Sequence, residues 1–380
     1  MKQFISHILE AYDAQGNHRT GTRVDAVSGE WLAGEIKALG FEPSLDRFLF
    51  NRIDIDKAIV RLNAEEWAGT PIFDGTYTTP DGVSGSLGAL GSEAEIAVAP
   101  VLPNVTGSQR QAYEAARREG RYKAILATTD ESQVKSGVTL INADHYTAPF
   151  GPPVLQLSSA YGLKLQDAVT HRAEATVIAT VSRTETEAFN VGAQVKGQDA
   201  SLPPLVVMTP RSGWWTCASE RGGGLAAWLA ILRALGKQPP RRDVWLIATT
   251  GHELGHVGLD QFLTQHPDLL SLAHAWIHLG ANFAARDGRV VYQASEPALM
   301  EVGLKAFNAN GARWDEVAPI GERPRGEARN IYDGGGRYVS LIGSNPLFHH
   351  PDDRWPDAVD LEKTARLVAS CVDVAMALAQ

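Results

Sequence analysis

Cysteine, long apolar runs and positive charge are all scarce in this sequence, and each shortage excludes a class of protein. Two cysteines among 380 residues, Cys217 and Cys371, cannot form the disulfide framework of a small secreted domain. No apolar run reaches the roughly 18 residues of a membrane-spanning helix, so we expect no membrane span. The formal net charge is -9, which argues against a nucleic-acid-binding surface or a polybasic membrane face.

The composition is that of an ordinary globular protein, with 44% hydrophobic and 21% charged residues. The first residues, MKQFISHILEAYDAQG, interrupt their apolar positions with polar ones. That pattern predicts an amphipathic helix and not a secretory signal, so the cytoplasm is the expected location. The expected partner is a small-molecule or short peptide-like substrate, with neither nucleic acid nor membrane, and a homo-oligomer is left open.

Two kinds of sequence pattern alternate along the chain and predict its domain organisation. Residues 1–56 read as helices and begin an α/β domain, whereas residues 57–185 are rich in Gly, Thr and Asp with short β-prone runs. Residues 186–380 alternate apolar strands with helices, which is typical of a mostly parallel sheet covered on both faces. The predicted fold is therefore an α/β domain with a mostly parallel, mixed sheet and a smaller, separate β-rich insert at 57–185.

Residue types that carry chemistry follow four of the predicted strands. PLVVM is followed by TPRSGWWTCASERGGG, DVWLIATT by GHELGH, LAHAW by IHLGAN, and RYVSLIG by SNPLFHHPDD. In open α/β sheets, functional groups collect beyond the carboxyl ends of the strands. The sequence therefore predicts one site built from these four segments.

The string HELGH, residues 252–256, has the letters of a zincin signature, in which two histidines bind zinc and the glutamate activates water. A zincin needs this motif inside one helix, but here a predicted strand and a glycine turn precede it. Gly255 also lies within the motif, and glycine costs roughly 1 kcal/mol in a helix interior. We therefore predict an elbow between strand and helix, and not a zincin.

The order of these motifs resembles another family. A strand followed by GHE and Leu-Gly, with FHHPDD before the last helix, is similar to the zinc aminopeptidases that share a fold with the glutaminyl cyclases. Many of those proteins carry an inserted protease-associated (PA) domain, which would be the insert at 57–185. The resemblance covers nearly the whole chain and implies a hydrolase that binds zinc.

Matched residue by residue, the resemblance implies a changed metal site. The family's His-x-Asp falls on Pro210 and Ser212, so neither residue survives. Its bridging aspartate falls on Glu220, which keeps a carboxylate. A further aspartate ligand falls on Gly280 and is lost, whereas the last ligand histidine is kept as His349.

The family's Glu-Glu pair falls on His252 and Glu253. The ligand glutamate is kept as Glu253, whereas His252 replaces the general base; an imidazole can accept a proton from water or from an amine. We therefore expect at most one zinc per chain in place of two. Its ligands would be Glu220, Glu253 and His349, a set that leaves one position for water.

Other residues around the lost ligand positions are candidates for catalysis or substrate binding. His278 lies two residues before Gly280, so both point to the same side of the strand, and His278 is an auxiliary ligand or acid. Arginines suit a carboxylate and tryptophans a flat apolar group. The candidate substrate-binding residues are Arg211, Ser212, Trp214, Trp215 and Arg221.

Purely structural roles for these residues, and other functions for the protein, stay open. The tryptophans could pack a core, and Arg221 could pair with an acidic neighbour. The leading function is an aminopeptidase-like hydrolase of a small amide or peptide-like substrate. The alternatives are a metal-free pseudoenzyme that binds a small ligand, and a cyclase or lyase on the same scaffold.

Overall fold

A computed structural model describes residues 1–101 and 108–380. The helices are α1 Lys2–Asp13, α2 Arg23–Ala38, α3 Ser108–Glu119, α4 Gly162–Thr170, α5 Ala218–Lys237, α6 Val257–Gln265, α7 Leu269–Leu272, α8 Pro297–Ala309, α9 Ala328–Asp333 and α10 Leu361–Leu378. The strands are β1 Pro43–Leu62, β2 Glu65–Ala68, β3 Thr70–Pro71, β4 Val83–Ala89, β5 Ile96–Val101, β6 Ala124–Thr129, β7 Val154–Leu157, β8 Glu174–Val195, β9 Leu205–Pro210, β10 Val244–Thr249, β11 Ala275–Leu279, β12 Val290–Ala294, β13 Glu316–Val317 and β14 Tyr338–Gly343.

The strands follow the order β13-β12-β14-β11-β9-β10-β8-β4-β5-β6-β7-β3, and β1 pairs with β2 and β8. In the middle, β14, β11, β9 and β10 are parallel neighbours, whereas β8 and β12 join them antiparallel. The predicted α/β class with a mixed sheet is confirmed.

Helices cover both faces of this central sheet. Leu205 and Val207 of β9 belong to the core that packs against α1, α5, α8 and α10. The intervening Val206 and Met208 point to the other face, where α6, α7 and α9 pack. Because successive strand residues alternate between faces, an uninterrupted apolar run is what a strand covered on both sides requires.

Two long strands join the body to the predicted insert. β1 and β8 pair antiparallel from Pro43 opposite Ala193 to Leu62 opposite Ala175. At one end β8 pairs with β10 of the body, and at the other end it pairs with β4. The expected boundaries at 57 and 185 therefore fall inside continuous strands.

The part of the insert that the structure describes has apolar cores of its own. One includes Trp67, Leu126 and Leu155, and another includes Tyr113 and Ile125. Besides strands it contains α3 and α4, so it is less purely β than its composition suggests. A third cluster, which includes Phe73 and Trp214, joins the insert to the body. The division into body and PA-like insert stays a prediction.

The sequence predicts no membrane span. Within 1–101 and 108–380, none of the helices combines the length and the apolar character that crossing a bilayer requires.

Candidate active site

The four polar segments come together because of the strand order. β14, β11, β9 and β10 are parallel neighbours, so their carboxyl ends lie at one edge of the sheet. The segments that follow these ends contain all the predicted ligands, together with His252. The strand order therefore brings together the four segments that the sequence predicts to form the site.

A cleft of about 420 Å³ opens at this edge. Arg110, Ile141, Asn142 and Asp144 of the predicted insert form part of its wall. The body contributes His252 and His256, the residues around Arg325, and Phe348. The cleft therefore lies between body and insert, and a ligand there would contact both.

The HELGH segment is an elbow. Gly251 has a left-handed backbone (φ 80°), His252–Leu254 form a single 3-10 turn, and Gly255 and His256 are again left-handed (φ 76° and 69°). The helix begins only at Val257. The sequence predicts that the motif does not lie within one continuous helix, and the structure agrees.

His252 borders the cleft and is oriented by a buried carboxylate. Its Nδ1 lies 3.3 Å from Oε1 of Glu327, and both Glu327 oxygens accept from the Thr249 hydroxyl at 2.8 and 2.9 Å. Burial, followed by the positive charge of Arg221, lowers the pKa of His252 well below its usual value. The ring is therefore neutral near pH 7, and with Nδ1–H donating to Glu327 its Nε2 lone pair is free to act as a base.

His256 and His278 are also buried and neutral. The His256 ring stacks on His252 with centroids 4.7 Å apart, and its Nδ1 lies 2.8 Å from Oδ1 of Asn330. His278 bonds through Nδ1 to the Ser340 hydroxyl at 2.8 Å and does not line the cleft. Its auxiliary catalytic role stays a prediction.

Both carboxylate oxygens of Glu253 are engaged by hydrogen-bond donors. The Thr20 backbone N–H donates to Oε1 at 2.8 Å, and the Ser212 hydroxyl donates to Oε2 at 2.7 Å. Ser212 Oγ also accepts from the backbone N–H of Gly251 at 2.8 Å. Glu253 is fully buried, and burial raises its pKa. In this arrangement Glu253 and Ser212 anchor the elbow to the N-terminal segment.

Glu220 is paired with a cation from its own chain. Its Oε1 lies 2.6 Å from Nη2 of Arg221 and 3.5 Å from Nε2 of His349, with all three side chains buried. Burial opposes ionisation, but Arg221 and His349 outweigh it and lower the pKa of Glu220 to about 2. Asp353 fixes the start of α5 by accepting from the backbone N–H groups of Ser219 and Glu220 at 2.9 and 3.0 Å.

These contacts do not fit the zinc site that the resemblance implies. Both oxygens of Glu253 already accept hydrogen bonds from buried donors. The Glu220 oxygen that faces His349 contacts the Arg221 guanidinium, which leaves Oε2 as the oxygen of Glu220 without a partner in the described part of the chain. Among the residues described, no group of three or more His, Cys, Asp or Glu side chains is arranged to hold a metal ion. We therefore derive no chemical step from a metal.

The predicted substrate-binding residues lie behind the cleft. Arg211 is buried, with Nη1 2.7 Å from Oδ1 of Asp25. Arg221 is the partner of Glu220, the alternative that the sequence left open. Neither arginine lines the cleft.

Trp214 bonds to a residue that lines the cleft, whereas Trp215 bonds to His349, which does not line it. The indole N–H of Trp214 donates to Oδ1 of Asn142 at 3.1 Å, and that of Trp215 donates to the carbonyl of His349 at 2.8 Å. Trp214 also packs edge-on against Phe73, with ring centroids 5.1 Å apart. Core packing, the alternative given above, therefore describes Trp214 well.

Sequence reasoning missed Arg110, Asn142 and Asn282 of the cleft lining, and it missed one charged stretch, GERPRGEARN at 321–330. The stretch supplies Glu327 behind His252, and Arg323, Arg325 and Arg329 at the cleft. Its density of arginine and glutamate was the available signal. Nothing in a strand-end pattern points to it, because it spans an irregular loop and the start of α9.

Acid is expected to destabilise the protein through its buried histidines. Burial lowers the pKa of His18 and His256 to about 3 and that of His278 to about 4. An unfolded histidine titrates near 6.5, so the unfolded state gains protons first and stability falls as pH drops from about 6.5 towards 4. Burial raises the pKa of Asp353 to about 7 and also raises that of Glu253, so these two groups stabilise the folded state as the pH falls. The three histidines outnumber them.

Urea unfolding at a series of pH values measures this slope. Each histidine contributes at most about 1.4 kcal/mol per pH unit. His278→Asn, whose amide can replace the bond to Ser340, should make the slope shallower. A slope unchanged in that variant would contradict a neutral, buried His278.

No family model and no curated protein matches the chain, but solved structures do. A zinc aminopeptidase from Bacillus subtilis has a TM-score of 0.77 at 16% identity, covering 98% of this chain and 93% of that one. A peptidase M28 precursor from Shewanella amazonensis has 0.77 at 16% identity, covering 100% and 93%. A glutaminyl cyclase from Bacteroides thetaiotaomicron has 0.52 at 10% identity, covering 98% and 97%.

The chain therefore has the fold that zinc aminopeptidases share with a glutaminyl cyclase. The resemblance expected from the sequence is confirmed at the level of the fold.

Proposed function

We propose that the protein is a hydrolase of small amide or peptide-like substrates, with His252 as its general base. The observation that supports this proposal is the pair of His252 and Glu327 at the wall of the cleft. A neutral imidazole with one nitrogen held by a carboxylate is the arrangement that general-base catalysis uses. The fold of the chain is one that known aminopeptidases use.

In the proposed reaction Nε2 of His252 takes a proton from a water molecule, whose oxygen attacks the substrate carbonyl. The protonated ring then returns this proton to the leaving amine when the C–N bond breaks. Asn142 and Asn282 line the cleft, and each directs its amide oxygen to a neighbouring donor, Trp214 and Asn345 respectively. Their NH₂ groups are suited to bind the carbonyl oxygen as negative charge develops.

The rim of the cleft favours a substrate with a negative charge. Arg110, Arg323, Arg325 and Arg329 line it, against the acidic Asp144 and Glu322. Asp144 is already paired with Arg329 at 2.9 Å. Arg325 forms no ion pair with any described residue, so its guanidinium can bind a carboxylate. This role replaces the one that the sequence suggested for Arg211 and Arg221.

Arg325→Ala is expected to raise KM for a substrate with a terminal carboxylate roughly 10-fold, the effect of losing one charged hydrogen bond. KM for the matched terminal amide should stay unchanged, since it lacks the charge. Arg313→Ala, an exposed arginine outside the cleft, is the control. An equal rise for both substrates would contradict a charge-specific contact.

The function itself is tested with a panel of anilides and dipeptides that carry a free or acylated amine and a free or amidated carboxylate. Release of amine is measured for the untreated protein and for protein treated with a chelator. Turnover that survives chelation and disappears in a His252 variant supports the proposal. Turnover that persists in the variant, or that only added zinc produces, would exclude His252 as the base of a metal-independent reaction.

A second candidate is a metal-free protein that binds a small ligand in the same cleft. The pairing of Glu220 with Arg221 favours it, because the carboxylate matched to the bridging metal ligand is paired with a guanidinium. If the protein only binds a ligand, a peptide with a free carboxylate should raise its unfolding temperature without being turned over. Arg325→Ala should abolish this rise.

A further inference from the structure

We infer that the guanidinium of Arg221 takes the place of a metal ion as the charge partner of Glu220, so that the site is built to be stable without metal. This inference concerns charge and packing in the interior and does not depend on the proposed catalysis.

The geometry converges on one oxygen atom. Oε1 of Glu220 is 2.6 Å from Nη2 of Arg221 and is also the atom that faces Nε2 of His349 at 3.5 Å. Nδ1 of His349 contacts the backbone carbonyl of Leu140 at 2.5 Å. That contact engages Nδ1 and leaves Nε2 as the ring nitrogen that faces Glu220. A carboxylate oxygen and an imidazole nitrogen that face each other are groups that can bind a cation, and the cation that contacts this carboxylate is Arg221.

The contact between Glu220 and Arg221 is not a consequence of their adjacency. Successive residues on a helix do not face each other, and here both side chains are completely buried in the first turn of α5. The guanidinium is held in place by its Nε, which donates to the backbone carbonyl of Ser212 at 2.7 Å. The buried Arg221 is therefore fixed from two sides, at Ser212 and at Glu220.

The charges balance without a further ion. A buried carboxylate requires a compensating positive charge, and Arg221 supplies it permanently because a guanidinium does not deprotonate in proteins. A zinc ion between Glu220 and His349 would have to approach this fixed positive charge in an interior of low dielectric constant. Zinc and Arg221 therefore compete for Oε1 of Glu220.

The test uses zinc itself as the probe, with metal analysis and thermal unfolding as readouts. The full chain, purified without chelator, should contain far less than one zinc per chain. Neither excess zinc nor a chelator should shift its unfolding midpoint. Arg221→Ala should be less stable than the parent. Because Glu220 then faces His349 without a cation, zinc should raise the unfolding midpoint of this variant by several degrees.

A matched control comes from the insert, where Arg117 forms a buried pair with Asp74 at 2.8 Å. The other oxygen of Asp74 accepts from the backbone N–H of His145 at 3.1 Å. Arg117→Ala should also lose stability but show no response to zinc. Adding Glu220→Gln to Arg221→Ala should remove the zinc response.

If Arg221→Ala does not fold, the double variant Glu220→Gln/Arg221→Met removes both charges together and should recover folding. Stoichiometric zinc in the unmodified protein, with a midpoint that falls on chelation, would overturn the inference. So would a folded Arg221→Ala that ignores zinc, a response of equal size in Arg117→Ala, or a double variant that recovers nothing.

Discussion

Replacement of His252 by glutamine is expected to lower the rate of amide hydrolysis by roughly 100- to 10,000-fold, the usual contribution of a positioned general base. Glutamine is close to histidine in length and can keep a hydrogen bond to Glu327, but it cannot accept a proton from water. The fold should survive, because the Nδ1 contact of His252 is its one side-chain hydrogen bond to a described residue. Steady-state kinetics on the best substrate of the panel give the size of the loss.

Variants of two neighbouring residues distinguish a catalytic role of His252 from a packing role. His256→Gln changes a ring that stacks on His252 but bonds to Asn330, and it should cost far less activity. Glu327→Gln keeps the shape but weakens the hold on Nδ1, so it should lower kcat more than it changes KM. If His256→Gln and His252→Gln lose the same activity, His252 has no special role as the base.

The pH profile gives an independent check on the same residue. Because burial and Arg221 lower the pKa of His252, its base form persists well below pH 6.5. We expect the rate to show no acid limb near the ordinary histidine pKa, within the range where the protein stays folded. A limb centred near 6.5 would indicate a solvated imidazole, which the buried ring of His252 is not.

The fold was largely predictable from the sequence, since its strongest signals are local. The apolar runs at 205–210 and 244–249 are strands because a parallel strand buried on both faces needs no polar alternation. The long ribbon of β1 and β8 was harder to predict. Its middle pairs a polar stretch of β8 around Glu185 with a stretch of β1 around Asp54 that alternates isoleucine and aspartate. Composition therefore suggested a domain boundary where the strands in fact continue.

The location of the site was predictable, but its internal contacts were not. Strand ends follow from periodicity, so His252, Glu220 and His349 could be placed at one edge. Whether Arg221 points towards substrate or towards Glu220 depends on the backbone path at Ser212, and no pattern of letters encodes that path. The role of Glu327 depends on a loop that meets β10 only in the folded chain.

Whether HELGH is a zincin motif is tested at Glu253, and its replacement by alanine is the second large effect that we expect. Removing its carboxylate leaves the Thr20 N–H and the Ser212 hydroxyl buried without their acceptor. Each unsatisfied donor costs roughly 1–3 kcal/mol, so Glu253→Ala should lose roughly 2–6 kcal/mol of unfolding free energy in urea. Glu253→Gln, which keeps one acceptor oxygen, should lose less, and the exposed control Glu30→Ala should lose little.

Three roles for Glu253 then give three different results. An anchor of the elbow gives a destabilised protein whose zinc content is as low as that of the parent. A metal ligand gives a protein that folds normally but loses bound zinc, and a zincin base gives one that keeps zinc and stability while losing turnover. The hydrogen bonds from Thr20 and Ser212 favour the first, because they use the same two oxygens that either of the other roles would need free.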